Sequence, residues 1–286
     1  MKAKLQFLIS MAAFGTLPLF VRHIQLTSAE VALFRAIIAL ACFLPARALM
    51  KKPSLLKGAR RDALLLFLSG AAMGFNWIFL FEAYRYTTVS VATLSYYFAS
   101  IIVMASSPLL FRERITRRQV ICFVGATAGL VLVINPGGLS GSDPIKGVAF
   151  GLAAATLYAT VILLNKGITG ISGFDRTILQ FSAATAVLLP YVLLTTGIRL
   201  HAMDTAGWAC LLTVGLVHSA AAYALYFSAL RSLPGQEAAI LSYVDPLVAV
   251  LLSLTVLMEP VAPVQLAGGA MILAFTLINE LRSERP

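Results

Sequence analysis

About ten apolar runs, each near the ~20 residues that a helix needs to cross a bilayer, follow one another along this chain, separated by clusters of charged residues, glycine and proline. They fall at 5–21, 29–49, 63–81, 89–111 and 116–134 and, beyond a Gly/Ser/Pro-rich stretch at 135–144, at 145–165, 177–198, 205–229, 238–258 and 262–279. The pattern predicts an all-α integral membrane protein of ten transmembrane helices. Lys2 and Lys4 ahead of the first run resemble the start of a secretory signal, but no small-residue cleavage site follows. The run continues past Pro18 to Val21, so an uncleaved first helix is expected.

A second pattern lies over the first. Phe81, Ala83 and Arg85, then Leu94-Ser95-Tyr96, then Glu113 and Gln119, recur in the same order as Phe227, Ala229 and Arg231, then Leu241-Ser242-Tyr243, then Glu259 and Gln265. Most pairs are 146 positions apart (227 − 81), with a slip of one residue at the triplet. The offset is roughly half the chain, which predicts a five-helix half over 1–135, a connecting loop over 136–144 and a second five-helix half over 145–286. Duplicated halves in an apolar chain point to a transporter with its binding site at the repeat interface.

Composition and charge narrow the class. A chain 59% hydrophobic and 12% charged, with mean hydropathy +0.89, is too apolar for a soluble domain. The net charge of +10 comes from short clusters between apolar runs rather than from one face, which speaks for membrane orientation and against nucleic acid. With the N-terminus inside, the cytoplasmic side collects Lys2, Lys4, Arg47, Lys51, Lys52, Lys57, Arg60, Arg61, Arg112, Arg114, Arg117, Arg118, Lys166, Arg176, Arg231, Arg282 and Arg285. The other side collects only Arg22, Arg85, Lys146 and Arg199. Both termini are then cytoplasmic, and two halves of five helices each must insert in opposite senses, as inverted repeats. Cys42, Cys122 and Cys210 all lie in apolar runs, where packing is their expected role.

Ten helices in two inverted halves, with proline in the fourth and ninth helices and the segments Glu113 to Gln119 and Glu259 to Gln265 after them, resemble the drug/metabolite transporter superfamily over nearly the whole chain. Within it the chain looks most like EamA-type exporters, and especially the YddG-type bacterial exporters of aromatic and other amino acids. The resemblance implies a bacterial inner-membrane exporter of amino acids or related metabolites that works by alternating access. Its alternatives are a proton-coupled exporter of drugs or other cations and an integral membrane enzyme. Small multidrug transporters of the superfamily carry a glutamate in the first helix; no acidic residue lies between Leu5 and Val21.

Candidate solute contacts follow from side-chain chemistry. Aromatic residues with a polar handle suit a cavity for a small amphipathic solute. On helix three these are Asn76 and Trp77; on helix eight, His218, Tyr223 and Tyr226. Trp77 and Tyr223 are repeat partners (223 − 77 = 146). Helix four offers Tyr96, Tyr97 and Ser100, helix six Tyr158, and helix nine Tyr243, the repeat partner of Tyr96. Against these stand ordinary roles: tyrosines and tryptophans form interfacial belts, and small hydroxyls pack helices together. Asp245, a carboxylate well inside a run, either contacts the polar end of a solute, carries a proton, or satisfies backbone groups freed by Pro246. Arg35 could attract a carboxylate, but it could equally pair with Glu30 or snorkel outward, and the structural role is the one expected. Pro108 and Pro246 are candidate hinges. The expected cavity is mostly uncharged, and Asp245→Asn is expected to leave substantial flux.

No Gly-rich phosphate loop, HExxH or paired-cysteine site is present, so no cofactor or metal is expected. Conceivable acid/base groups such as His218, Asp245 and Asp175 are scattered over different segments, which weakens the enzyme alternative. The expected partners are a small-molecule solute and membrane lipid.

Overall fold

The computed structural model describes residues 2–50, 60–111, 116–133, 141–168, 171–230, 232–233, 238 and 241–283. Among these the secondary structure is helical throughout: α1 (Lys2–Val21), α2 (Ser28–Leu49), α3 (Arg60–Tyr86), α4 (Val89–Tyr97), α5 (Ala99–Phe111), α6 (Arg117–Val133), α7 (Pro144–Lys166), α8 (Gly173–Thr195), α9 (Thr205–Thr213), α10 (Ala222–Leu230), α11 (Val244–Thr255) and α12 (Pro263–Ser283). Seven helical stretches are long and apolar enough to cross a membrane: α1, α2, α3, Val89–Ser106, α7, α8 and Thr205–Ala229. Val244–Thr255 and Pro263–Asn279 are shorter apolar helices.

The helices start where the sequence supplies an oxygen for otherwise orphaned amides. Thr27, Thr88, Asp143, Ser172 and Asp204 each accept from an amide three residues on, and Thr27 with Glu30 closes a capping box. The Glu-to-Gln segments gain a physical meaning here. Gln119 accepts from the amide of Thr116 at 2.7 Å, and Gln265 accepts from the amide of Ala262 at 2.9 Å, so each Gln folds back over the start of its helix, α6 or α12. Glu113 lies outside the described residues, as do residue 134, the last of the fifth run, and residues 135–140 of the connecting stretch; Pro144, read as its end, already belongs to α7.

Two runs that read as continuous helices are broken. The fourth divides at Phe98, whose amide bonds to Ser95 and whose carbonyl accepts from Ile101, both i to i−3 bonds that tighten the turn. The ninth breaks at Tyr243, one turn ahead of Pro246, where the proline ring conflicts with the preceding turn. Pro246 thus sits in the first turn of α11. Pro108 lies within α5, ten positions past the break in its own run. Both breaks fall at or just after the Leu-Ser-Tyr triplets. The eighth run contains a π-helical stretch, Val214–Ala221, between α9 and α10.

Packing brings the two halves against each other. α1 lies along α10 and α11, α3 along α7 and α8, α2 along α8 and the π-helical stretch, α4 along α7 and α11, and α6 along α12. Small residues permit the closest approaches. A Cβ on Gly129 would meet the Gly268 carbonyl at 2.7 Å, and one on Gly268 would meet the Gly129 carbonyl at 2.5 Å. Gly125 receives the Phe275 ring. The GxxxG of Gly125 and Gly129 therefore serves the contact of α6 with α12 inside one chain.

Candidate functional site

Arg35, Trp77, Phe181 and Tyr223 meet at the centre of the bundle, each from a different helix. The Trp77 ring packs on Phe181 at 5.0 Å, and Tyr223 packs on the same Phe181 at 5.4 Å and on Phe14 at 5.1 Å. The guanidinium of Arg35 lies over the Trp77 ring at 4.6 Å and near Phe81 at 5.6 Å. Arg35 is only 3% exposed. It pairs neither with Glu30 nor with solvent, contrary to the expectation from sequence. Glu30 instead accepts from the Thr27 amide and hydroxyl and from the Arg199 amide at 2.7 Å. Arg35 Nε donates to Ser219 Oγ at 3.0 Å, and Ser219 in turn donates to the Val214 carbonyl five residues back. Ser219 lies in the π-helical stretch, so this chain of bonds joins that stretch to α2.

A second group of tyrosines surrounds Asp245. Tyr97 donates its hydroxyl to Asp245 Oδ2 at 2.8 Å, joining the broken fourth run to α11. Tyr96 packs edge-on to Tyr97 at 6.1 Å and against Tyr158 at 5.4 Å. Tyr96 and Tyr223 both pack against the core cluster that contains Trp77 and Phe181. Asp245 reaches across to another helix rather than to backbone freed by Pro246, and its place in the first turn of α11 suits a negative charge.

The other candidates separate. Tyr226 packs on Phe7 at 5.4 Å and Phe227 at 4.9 Å, toward the α1 side, and Tyr243 is half-buried at the ninth-run break. Ser100 is half-buried on α5, and Tyr158 is 40% exposed. Asn76 donates to the Ala154 carbonyl at 2.6 Å, a bond that ties α3 to α7. His218 is held on both nitrogens: the Thr213 carbonyl lies 3.2 Å from Nδ1, and Thr16 Oγ1 lies 2.9 Å from Nε2. The imidazole thus spans α1 and the π-helical stretch.

Sequence reasoning missed an ionic cluster at the end of the bundle where α1 and α3 finish. Arg22 forms an ion pair with Glu259, donates from Nε to the Tyr84 carbonyl at 3.0 Å and from Nη2 to the Thr87 carbonyl at 2.8 Å. Glu259 Oε2 accepts from the Val89 amide at 2.8 Å and from the Ser253 hydroxyl. One pair thus joins α1, α3, α4 and the connection between α11 and α12. It borders a cavity of about 650 Å³ lined also by Arg85, Thr88, Gly141 and Pro260. Glu259 was visible as half of a repeated motif; its partner Arg22, far away in sequence, was not. Among the described residues no group of His, Cys, Asp and Glu could hold a metal ion.

A helical bundle with several membrane-length helices, an aromatic interior and buried charges is the architecture of a membrane transporter. The chain belongs to the EamA-like transporter family, whose profile matches residues 1–135 and again 145–280. It is 28% identical to the uncharacterized transporter YxxF of Bacillus subtilis over 87% of this chain and 80% of that protein. It is also 28% identical to an uncharacterized transporter of Archaeoglobus fulgidus over 94% of this chain and 93% of that one, and to protein PecM of Dickeya dadantii over 74% of this chain and 72% of PecM. A solved crystal structure superposes with a TM-score of 0.65 over 97% of this chain and 96% of its own, at 16% identity, a likeness of fold.

Proposed function

We propose that this transporter exports amino acids, aromatic ones among them, or closely related metabolites across the bacterial inner membrane by alternating access, with both termini cytoplasmic. The observation that carries the reading is the central aromatic cluster: repeat partners Trp77 and Tyr223 pack on one ring, Phe181, which suits a solute with an apolar body and a polar end.

The ten-helix, inverted-repeat layout is part of the proposal. Its support is the separate match of the family profile to each half and a set of contacts that maps onto itself when the halves are exchanged. Contacts of α1 with α10 and α11 answer those of α7 with α3 and α4, and α2 against the π-helical stretch answers α8 against α3. Reporter fusions test the orientation: both termini are expected to report cytoplasmic, and a periplasmic terminus would overturn the pairing of the halves.

In this layout the Arg22–Glu259 pair closes the extracytoplasmic side, and the breaks at Phe98 and Tyr243 are the bending points. Purified protein in liposomes is expected to release preloaded labelled amino acids, aromatic ones included, faster than empty liposomes. Absence of flux across a broad amino-acid panel would remove the substrate assignment, and chemical conversion of the label would favour an enzyme.

A further inference from the structure

We propose that Arg35 is the residue that recognises the transported solute, pairing its guanidinium with a single carboxylate on a molecule that also carries an apolar body. The inference deepens the reading above and rests on it for the location of the site.

A guanidinium stays protonated at any ordinary pH, and a buried cation away from water is costly unless something balances it. Arg35 lies eight residues into α2, almost wholly enclosed. The nearby carboxylates are engaged elsewhere: Glu30 by Thr27 and Arg199, Asp245 by Tyr97. Of the five N–H groups on the guanidinium, one is satisfied, Nε by Ser219. Among the described residues no carbonyl, hydroxyl or carboxylate accepts from the four on Nη1 and Nη2. The side chain is nevertheless held firmly, by Ser219 at Nε and by the Trp77 and Phe81 rings against the guanidinium. A fork fixed at its stem and left without an acceptor at its prongs fits the planar, two-oxygen shape of a carboxylate.

The repeat sharpens the point. Arg35 and Phe181 are 146 positions apart (181 − 35), the same offset as Trp77 and Tyr223. Both pack on the Trp77 ring, Arg35 at 4.6 Å and Phe181 at 5.0 Å. One half therefore places a cation where the other places a phenyl ring, and the centre has a charged end and an apolar end. A solute with a carboxylate at one end and an apolar group at the other matches that asymmetry. The remaining described Lys and Arg residues lie near helix ends or in connections, so among the described residues Arg35 is the one cation of the interior, which suits a single carboxylate better than a phosphate dianion.

The test is thermal stabilisation of the detergent-purified protein by matched pairs of compounds: L-phenylalanine against L-phenylalaninamide, and 3-phenylpropionate against 3-phenylpropanamide. At least one of the two carboxylates is expected to stabilise the wild-type protein, with half-effect at a concentration at least about tenfold lower than that of its amide, as expected for losing a hydrogen bond to a charged group. Arg35→Gln is expected to abolish the difference within that pair, and Arg35→Lys, which keeps the charge but loses the fork, to shrink it. Equal stabilisation by acids and amides, stabilisation by neither acid, or an undiminished preference in a folded Arg35→Gln protein would each overturn the proposal; if the variants do not fold, the wild-type comparison decides. Stabilisation by 3-phenylpropionate without flux of any amino acid would uphold Arg35 and remove the amino-acid reading. Wild-type flux of phenylalanine that persists in Arg35→Gln would do the reverse.

Discussion

Glu259→Gln should open the extracytoplasmic side, raising by about tenfold or more the rate at which a membrane-impermeant maleimide labels a cysteine placed at Thr93. The expectation follows from what Glu259 joins. Its carboxylate pairs with Arg22, which also holds the carbonyls of Tyr84 and Thr87, and accepts from the first amide of α4. Glutamine can still accept from Val89 but loses the charge, and a hydrogen bond to a charged group contributes about 1.5–3 kcal/mol. If that contribution exists only while this side is closed, its loss shifts the closed-to-open ratio by roughly tenfold to a hundredfold. Thr93 is buried on α4, one turn below Val89, and becomes reachable only if the helices part. The assay needs Cys42, Cys122 and Cys210 replaced first. Unchanged labelling in a folded Glu259→Gln protein would mean that the pair is packing and not a latch.

Trp77→Ala is expected to lower amino-acid flux by more than about tenfold, with Trp77→Phe losing much less. Trp77 touches both Arg35 and Phe181, so removing the indole empties the space between the charged and apolar ends of the site. Large-to-small aromatic truncations in packed interiors cost about 3–5 kcal/mol, and the cation–π contact adds about 0.5–2 kcal/mol at such a site. Part of this is stability, so flux is normalised to the protein that remains monodisperse after purification. Phenylalanine restores a ring face for Arg35, and that recovery separates a role in the site from general loss of packing. Near-normal flux through a folded Trp77→Ala protein would contradict the placement of the site.

Much of the fold was legible because the bilayer imposes a length rule. The apolar runs are matched by helices whose ends mostly fall within a few residues of the expected ones, and seven are long and apolar enough to span by themselves. What hydropathy could not show were departures from regular helix inside a run. The break at Phe98 has no proline at the site, and the π-helical stretch at Val214–Ala221 holds a single glycine, Gly215, which a hydropathy run does not register. Trp77, Tyr96 and Tyr223 were singled out from residue type and repeat offset, and the structure packs all three in or against one core cluster. Arg35 was misjudged because its nearest carboxylate in sequence, Glu30, looked like a partner, whereas α2 turns the two to different neighbours. Asn76 and His218, read as candidate contacts from their polar chemistry near the middle of a helix, make hydrogen bonds to neighbouring segments. Asp245→Asn is still expected to leave substantial flux, because the Tyr97 hydroxyl can donate to an amide oxygen as it does to the carboxylate.

Counterflow in liposomes tests the central claim most directly. Vesicles loaded with unlabelled phenylalanine and diluted into a trace of labelled phenylalanine should accumulate label transiently above its equilibrium level, because a carrier with one site facing each side in turn exchanges solute faster than it returns empty. Uptake that ignores the internal phenylalanine, or that stays at the level of protein-free vesicles, would contradict an alternating-access amino-acid carrier.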